Sequence, residues 1–212
     1  GVGGVITLVP VTDGGADTTN ETDSYAVFGQ LSYAITEDLG ITVGARQTWE
    51  EKEVDTIATA SALNPAGGYT VSLGDDYDAL TPTISVDWQV TDDIFTYLSY
   101  AEGFKSGGFP GGGGNEFIGS TGFDPEEAIN YELGIKTEWL DSRIRLNAAL
   151  FYTDYTDLQI LQLLVPVGAD PADPGSLITQ DAADAEIEGL EVEFTFLPVD
   201  GLTIAGSFTY LK

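Results

Sequence analysis

The sequence predicts an all-β chain: an antiparallel up-and-down transmembrane β-barrel segment, about 8–9 strands of a larger barrel, with short turns at one end and long loops at the other. Three observations carry that prediction. Most of the chain falls into period-two segments rich in Val, Ile, Tyr, Phe, Trp and Thr, the composition and alternation of strands. The connections alternate between tight turns and long polar segments. Aromatic residues collect near both ends of the apolar runs, as they do at the two interfaces of a membrane.

The strands are expected near 4–11, 24–35, 40–57, 82–90, 94–105, 128–139, 143–164, 184–196 and 202–211, and no long segment shows a helical period. The stretches TEDLG (36–40), TDD (91–93), LDSR (140–143) and LPVDG (197–201) are made of turn-forming residues. Between them lie long polar segments at 12–23, 58–81, 106–127 and 165–183. In a meander, every second connection lies at the same end. One end therefore collects the turns and the other the loops, the asymmetry of outer-membrane barrels.

Each strand has one apolar face. Tyr25, Val27, Leu31, Tyr33 and Ile35 share a parity, as do Ile41, Val43, Ala45 and Trp49, with Arg46 and Glu50 opposite. Ile84, Val86, Trp88 and Val90 align against Asp87. Ile129, Tyr131, Leu133, Ile135 and Trp139 align against Glu132, Lys136 and Glu138. Ile144, Leu146, Ala148, Leu150 and Tyr152 stand against Arg143 and Arg145. Leu190, Val192, Phe194 and Phe196 stand against Glu191 and Glu193, and Leu202, Ile204, Phe208 and Tyr210 close the series.

Alternation alone does not say which face is outside. Three details favour lipid. The runs Ile41–Trp49, Ile129–Trp139, Ile144–Tyr152 and Leu202–Tyr210 are near the roughly 9–11 residues of a tilted membrane strand. Tyr33, Trp88, Phe95, Trp139 and Phe196 lie beside the short turns, and Tyr25, Trp49, Tyr100, Tyr131, Tyr152 and Tyr210 toward the long loops. The opposite face carries charges of both signs and small residues such as Gly44, Gly134, Asn147 and Ala149. Two places fit poorly. Glu188 shares the parity of Leu190, which calls for an early exit from lipid or a bulge. From Ile94 to Tyr100 both faces are apolar or hydroxylic, so the lipid side of strand 94–105 is open.

Composition excludes several functions. The chain has no Cys and no His, so it forms no disulfide, no zinc site with those ligands and no Ser-His-Asp triad. Lys plus Arg total 7 against 35 Asp plus Glu, for a formal charge of −28. That balance argues against nucleic acid and against docking on an anionic membrane surface. Asp75, Asp76 and Asp78 lack the spacing and closing Glu of a calcium-binding EF-hand loop. The stretch SYAEGFKSGGFPGGGGNEF, Ser99–Phe117, looks at first like a phosphate loop. A Walker motif needs Gly directly before its Lys, however, and Phe104 precedes Lys105. The stretch reads instead as a strand leaving the membrane at Lys105, followed by a glycine-rich, flexible surface loop. No initiator Met, signal peptide or apolar membrane helix is present, and both ends read as cuts through a longer protein.

In order along the chain, YLSYAEGFKSGGF (97–109), FDPEEAINYELGIKTEWLDSRIRLNAALFYTDYTDLQI (123–160) and DAADAEIEGLEVEFTFLPVDGLTIAGSFTYL (181–211) resemble the C-terminal half of TonB-dependent outer-membrane receptors. The resemblance covers nearly the whole chain from about Ser24. It implies that residues 1–212 are part of a barrel domain, with no plug domain present, in the outer membrane of a Gram-negative bacterium. It further implies an active importer of ferric siderophores or similar scarce nutrients, not an enzyme, without catalytic residues, metal site or cofactor in this segment. The expected partners are the lipid bilayer with its lipopolysaccharide, the receptor's own plug, TonB and a small-molecule substrate. Arg46, Asp87, Glu132, Lys136, Arg145, Glu191 and Glu193 would face the lumen and plug. Tyr69, Tyr77, Phe109 and Phe117 would sit on ligand-sampling loops. The alternative is a passive porin-like or small closed outer-membrane barrel.

Overall fold

The computed structural model describes residues 15–59, 68–109, 116–164 and 176–212. They form one eight-stranded antiparallel sheet in chain order: β1 (Ala16–Ala34), β2 (Leu39–Ala58), β3 (Tyr69–Thr91), β4 (Ile94–Lys105), β5 (Glu126–Trp139), β6 (Ile144–Leu164), β7 (Ser176–Val199) and β8 (Leu202–Leu211). A single helical turn, α1 (Glu116–Gly119), lies between β4 and β5. Among the described residues β1 and β8 are the two edges of an open sheet. The expected strand near 4–11 lies outside the described residues.

The turns fall where the sequence places them. Asp200–Gly201 joins β7 to β8, and Gly201 takes the positive φ of 83° that this tight connection needs. The long connections are shorter than expected, because the strands run on past the apolar band. β1 starts at Ala16 inside the expected loop 12–23, β3 starts at Tyr69 inside 58–81, and β7 starts at Ser176 inside 165–183. Segments such as NETDS and GDDYD are polar enough to read as loops. They stay in the ladder because each backbone group there has a partner strand: Asn20 pairs with Val54 and Asp75 with Lys52.

The register carries one apolar face across all eight strands. Leu31 stands opposite Val43, Val43 opposite Ile84, Val86 opposite Leu98, Leu98 opposite Leu133, Leu133 opposite Leu150, Leu150 opposite Leu190 and Leu190 opposite Tyr210. This row settles strand 94–105: Thr96, Leu98 and Tyr100 belong to the apolar face. It also corrects Phe95, which pairs with Lys136 on the polar face and is no part of the outer aromatic band. Five of the other aromatics meet across strands. Tyr25 contacts Trp49 with ring centroids 6.4 Å apart, and Tyr100, Tyr131 and Tyr152 form a ladder at 5.2 and 6.5 Å. Glu188 pairs with Tyr152 in unbroken register, so β7 leaves the apolar band at the tyrosine rim. The register shifts lie farther out, around Leu158.

Among the described residues no second layer covers the apolar face. Leu31 is 74% exposed and Leu150 54%. A continuous exposed surface of this kind needs an apolar solvent, and the bilayer supplies it. No helix of the described residues is long and apolar enough to cross a membrane, and none is needed when strands do the crossing.

Most of the buried side chains lie elsewhere. Val54, Thr56, Val71 and Tyr77 are each less than a tenth exposed, and Ser106 joins them. Val54 and Thr56 share the parity of Arg46, and Tyr77 stands opposite Glu50. The small core is therefore on the polar face, at the end where the long connections lie.

Candidate functional site

The polar face combines both charge signs with cross-strand aromatic–glycine pairs. The Tyr97 ring lies over Gly134 and the Phe151 ring over Gly189. A Cβ at either glycine would come within 2.2 Å of the ring, so a flat aromatic fills what a side chain would otherwise occupy. The Tyr97 hydroxyl donates to Glu132. Lys136 lies 6.0 Å from the Phe95 ring centroid and 5.6 Å from that of Tyr97, within cation–π reach. Nearer the turns, Arg145 donates to Glu138 Oε1 through Nε at 2.9 Å and holds it through its terminal nitrogen at 2.7 Å. The Ser142 hydroxyl donates to the other oxygen at 2.7 Å. Ser85 donates to Asp87 at 2.8 Å, and Arg46 Nε donates to the Thr48 hydroxyl at 3.1 Å.

The register thus brings Arg46, Asp87, Glu132, Lys136, Arg145, Glu191 and Glu193 to one face. Tyr97, Glu132, Lys136, Asn147, Glu191 and Glu193 border one shallow depression. Among the described residues neither Arg46 nor Lys136 has a carboxylate within 4.0 Å. This face therefore keeps unspent charge of both signs. It can bind a polar surface by charge-assisted hydrogen bonds.

The second cluster forms where β4 ends. Instead of streaming away, Ser106–Phe109 turns in over the polar face and pairs with the returning chain, with Gly108 and Phe123 exchanging backbone hydrogen bonds of 3.1 and 2.9 Å. Ser106 Oγ donates to Glu50 at 2.5 Å, and Lys52 Nζ donates to the Gly107 carbonyl at 2.9 Å. Lys52 also stands 3.9 Å from Glu50 and 5.8 Å from the Tyr77 ring centroid. From the other side, Gln159 Nε2 donates to the carbonyls of Ser106 and Asp124 at 3.0 and 3.1 Å. Its backbone N–H reaches Glu126 at 2.9 Å.

That convergence has a geometric consequence. On a flat sheet β2 and β6 stand four strand spacings apart, roughly 19 Å. Glu50 and Lys52 of β2 and Gln159 of β6 nevertheless hold the same dipeptide, Ser106–Gly107. The sheet must curve toward its polar face, which makes that face concave and the apolar face convex.

Two of the four expected loop aromatics are thereby relocated. Tyr69 and Tyr77 are β3 residues that support the β4–β5 connection from beneath. Tyr77 packs under Gly107, where a Cβ would lie 2.6 Å from its ring and 2.4 Å from the Phe123 carbonyl oxygen. Tyr69 lies against Gly119 of α1 in the same way, at 3.0 Å. Burial, aided by the Asp75 carboxylate, pushes the Tyr77 phenol up to about 12. Phe109 follows the Gly108 bridge and is half-buried. Phe117 is in α1, and its side chain lies outside the described residues. Gly107 and Gly108 are buried rather than part of a free surface loop. Alternation splits Asp75 from Asp76 and Asp78, and among the described residues no group of three or more carboxylates is placed to hold a metal ion. Sequence reasoning missed Lys52, Ser106 and Gln159 as a unit, because their meeting depends on curvature.

Known proteins resemble this arrangement in both sequence and fold. A family model described as TonB dependent receptor-like, beta-barrel matches residues 3–212. The metal-pseudopaline receptor CntO of Pseudomonas aeruginosa is 29% identical over 152 residues, 72% of this chain and 19% of the relative. The pesticin receptor of Yersinia enterocolitica is 29% identical over 202 residues, 91% of this chain and 27% of the relative. Among solved structures, the ferric yersiniabactin uptake receptor FyuA of Yersinia pestis superposes with a TM-score of 0.72 at 22% identity. That match covers 93% of this chain and 28% of the other. The chain thus spans about a fifth to a quarter of the length of these curated relatives.

Proposed function

The chain belongs to the TonB-dependent receptor-like β-barrel family, and on that premise we propose that it forms part of the wall of an active importer of ferric siderophores or related metal chelates. Its place is the outer membrane of a Gram-negative bacterium. The observation that carries the reading is the pairing of two unlike faces: a continuous apolar face, and a concave polar face whose Arg46 and Lys136 lack carboxylate partners among the described residues. A passive pore needs only a wet interior. A wall that holds a folded plug needs polar groups left over for it, and Arg46, Asp87, Glu132, Lys136, Glu191 and Glu193 are such groups. Arg145 is already committed to Glu138 and contributes less.

In this reading the plug, TonB contact and remaining strands come from the rest of the receptor. The segment contributes wall and ligand-facing connections, and it performs no catalysis. CntO and FyuA are named for a metal chelate and a ferric siderophore, which supports the substrate class. Phe109 and the exposed parts of the β4–β5 connection are the ligand contacts on this segment, with Tyr69 and Tyr77 shaping the connection beneath. The test is uptake of radiolabelled iron from a panel of ferric siderophores by cells carrying the full receptor as their only route. Saturable uptake that requires TonB supports the importer. Non-saturable entry that persists without TonB supports the porin-like alternative.

A further inference from the structure

Most of this sheet is a single layer, yet the base of the β4–β5 connection has its own packed core. Ser106 is 8% exposed, Tyr77 9%, Val54 2% and Thr56 1%. Gly107 is so closely enclosed that no side chain fits between Tyr77 and the Phe123 carbonyl. The neck formed by Ser106–Phe109 and its returning partner Phe123–Asp124 is held from two opposite sides, by Glu50 and Lys52 on β2 and by Gln159 on β6. A segment that swung with each ligand would have to break these four hydrogen bonds and uncover that core.

We propose that this neck is a fixed inward shelf of the lumen that narrows the ligand's path, and that Lys52 is the positioning residue that holds it there. The inference rests on the importer reading above. Lys52 suits the role because one ammonium serves the Gly107 carbonyl, the Glu50 carboxylate and the Tyr77 ring together. With methionine at this position, the carbonyl and the carboxylate lose their shared donor inside a largely closed cluster. The shelf then loosens, and the ligand meets a wider, less ordered passage. The shelf selects ligands by size and fit, so its loss weakens affinity more than it slows the transport step.

The experiment uses the full receptor in intact cells. Cysteines placed by Glu50→Cys and Ser106→Cys in this cysteine-free segment are joined by a short, reducible bis-methanethiosulfonate reagent. If the shelf is fixed, import runs within about twofold of the same variant before bridging. Import that stops on bridging and returns on reduction overturns the proposal, because the neck must then move. Separately, in detergent-solubilised folded receptor Ser106→Cys alone should react with a membrane-impermeant maleimide at least tenfold more slowly than Asp141→Cys, each rate being normalised to that of the same variant in the unfolded receptor. Adding Lys52→Met should accelerate it, and Lys52→Arg should restore protection. Equal labelling of Ser106→Cys with and without Lys52→Met overturns the role given to Lys52. Labelling needs no transported substrate, so it reads the shelf even if the importer reading fails. Uptake that is absent in the unsubstituted receptor rejects that reading instead.

Discussion

Ala148 and Ala149 are neighbours in sequence and opposites in environment, and arginine at each tests the face assignment. Ala148 stands between Ile135 and Val192 on the apolar face, while Ala149 stands between Gly134 and Glu191 on the polar one. From Tyr152 to Ile144 the strand climbs roughly 26 Å along its length, about 20 Å along the membrane normal at a ~40° tilt. Ala148 is midway, about 10 Å from either rim, too deep for an arginine to carry its charge fully into water. A lipid-facing arginine at this depth costs about 2–4 kcal/mol, a shift of roughly 30- to 1000-fold in the folding equilibrium. Ala149→Arg enters a wet interior beside Glu191 and should change stability by less than about 0.5 kcal/mol. Reversible urea unfolding of the full receptor in phospholipid vesicles, followed by tryptophan fluorescence, measures both. The reasoning fails if Ala149→Arg costs as much as Ala148→Arg, or if Ala148→Arg is tolerated as well as a surface change.

Three further outcomes follow from the same geometry. Gly134→Val should cost about 1–3 kcal/mol by driving the Tyr97 ring off its neighbour, and Tyr97→Ala should relieve most of that cost in a double-mutant cycle. Arg145→Ala should cost less than about 1 kcal/mol in the same unfolding assay, since both partners of its ion pair are largely exposed. Tyr77 has its phenol raised to about 12, against an ordinary value near 10. The folded state therefore keeps the proton after the unfolded chain has lost it. Its contribution is complete below about pH 10 and is lost as pH rises toward 12. Tyr77→Phe should flatten that part of the stability profile.

The elements themselves were largely legible before any fold was known. Asp200–Gly201 marks its turn by composition, and Ile144 to Tyr152 marks its strand by alternation. The errors share one cause. Polar stretches such as Ala16–Asp23 and Gly74–Asp78 look like loops because toward and beyond the membrane rim polar residues occupy both faces of a strand, so alternation disappears while backbone pairing continues. Distance from a turn alone groups Phe95 with the outer aromatics. Its face could be read only from Lys136, its partner on β5. The glycines after Lys105 suggested freedom, whereas Gly107 is required because Tyr77 and Phe123 leave no room.

The sequence by itself determined the fold class, the turn-and-loop asymmetry and which residues of most strands share a face. These follow from local rules: a side-chain period of two, turn chemistry, and the preference of aromatic rings for interfaces. Only the tertiary structure decided the register that assigns β4 its apolar side and the meeting of Lys52, Ser106 and Gln159. Those depend on strands far apart in the chain, and no local pattern records which residues curvature will bring within hydrogen-bonding distance.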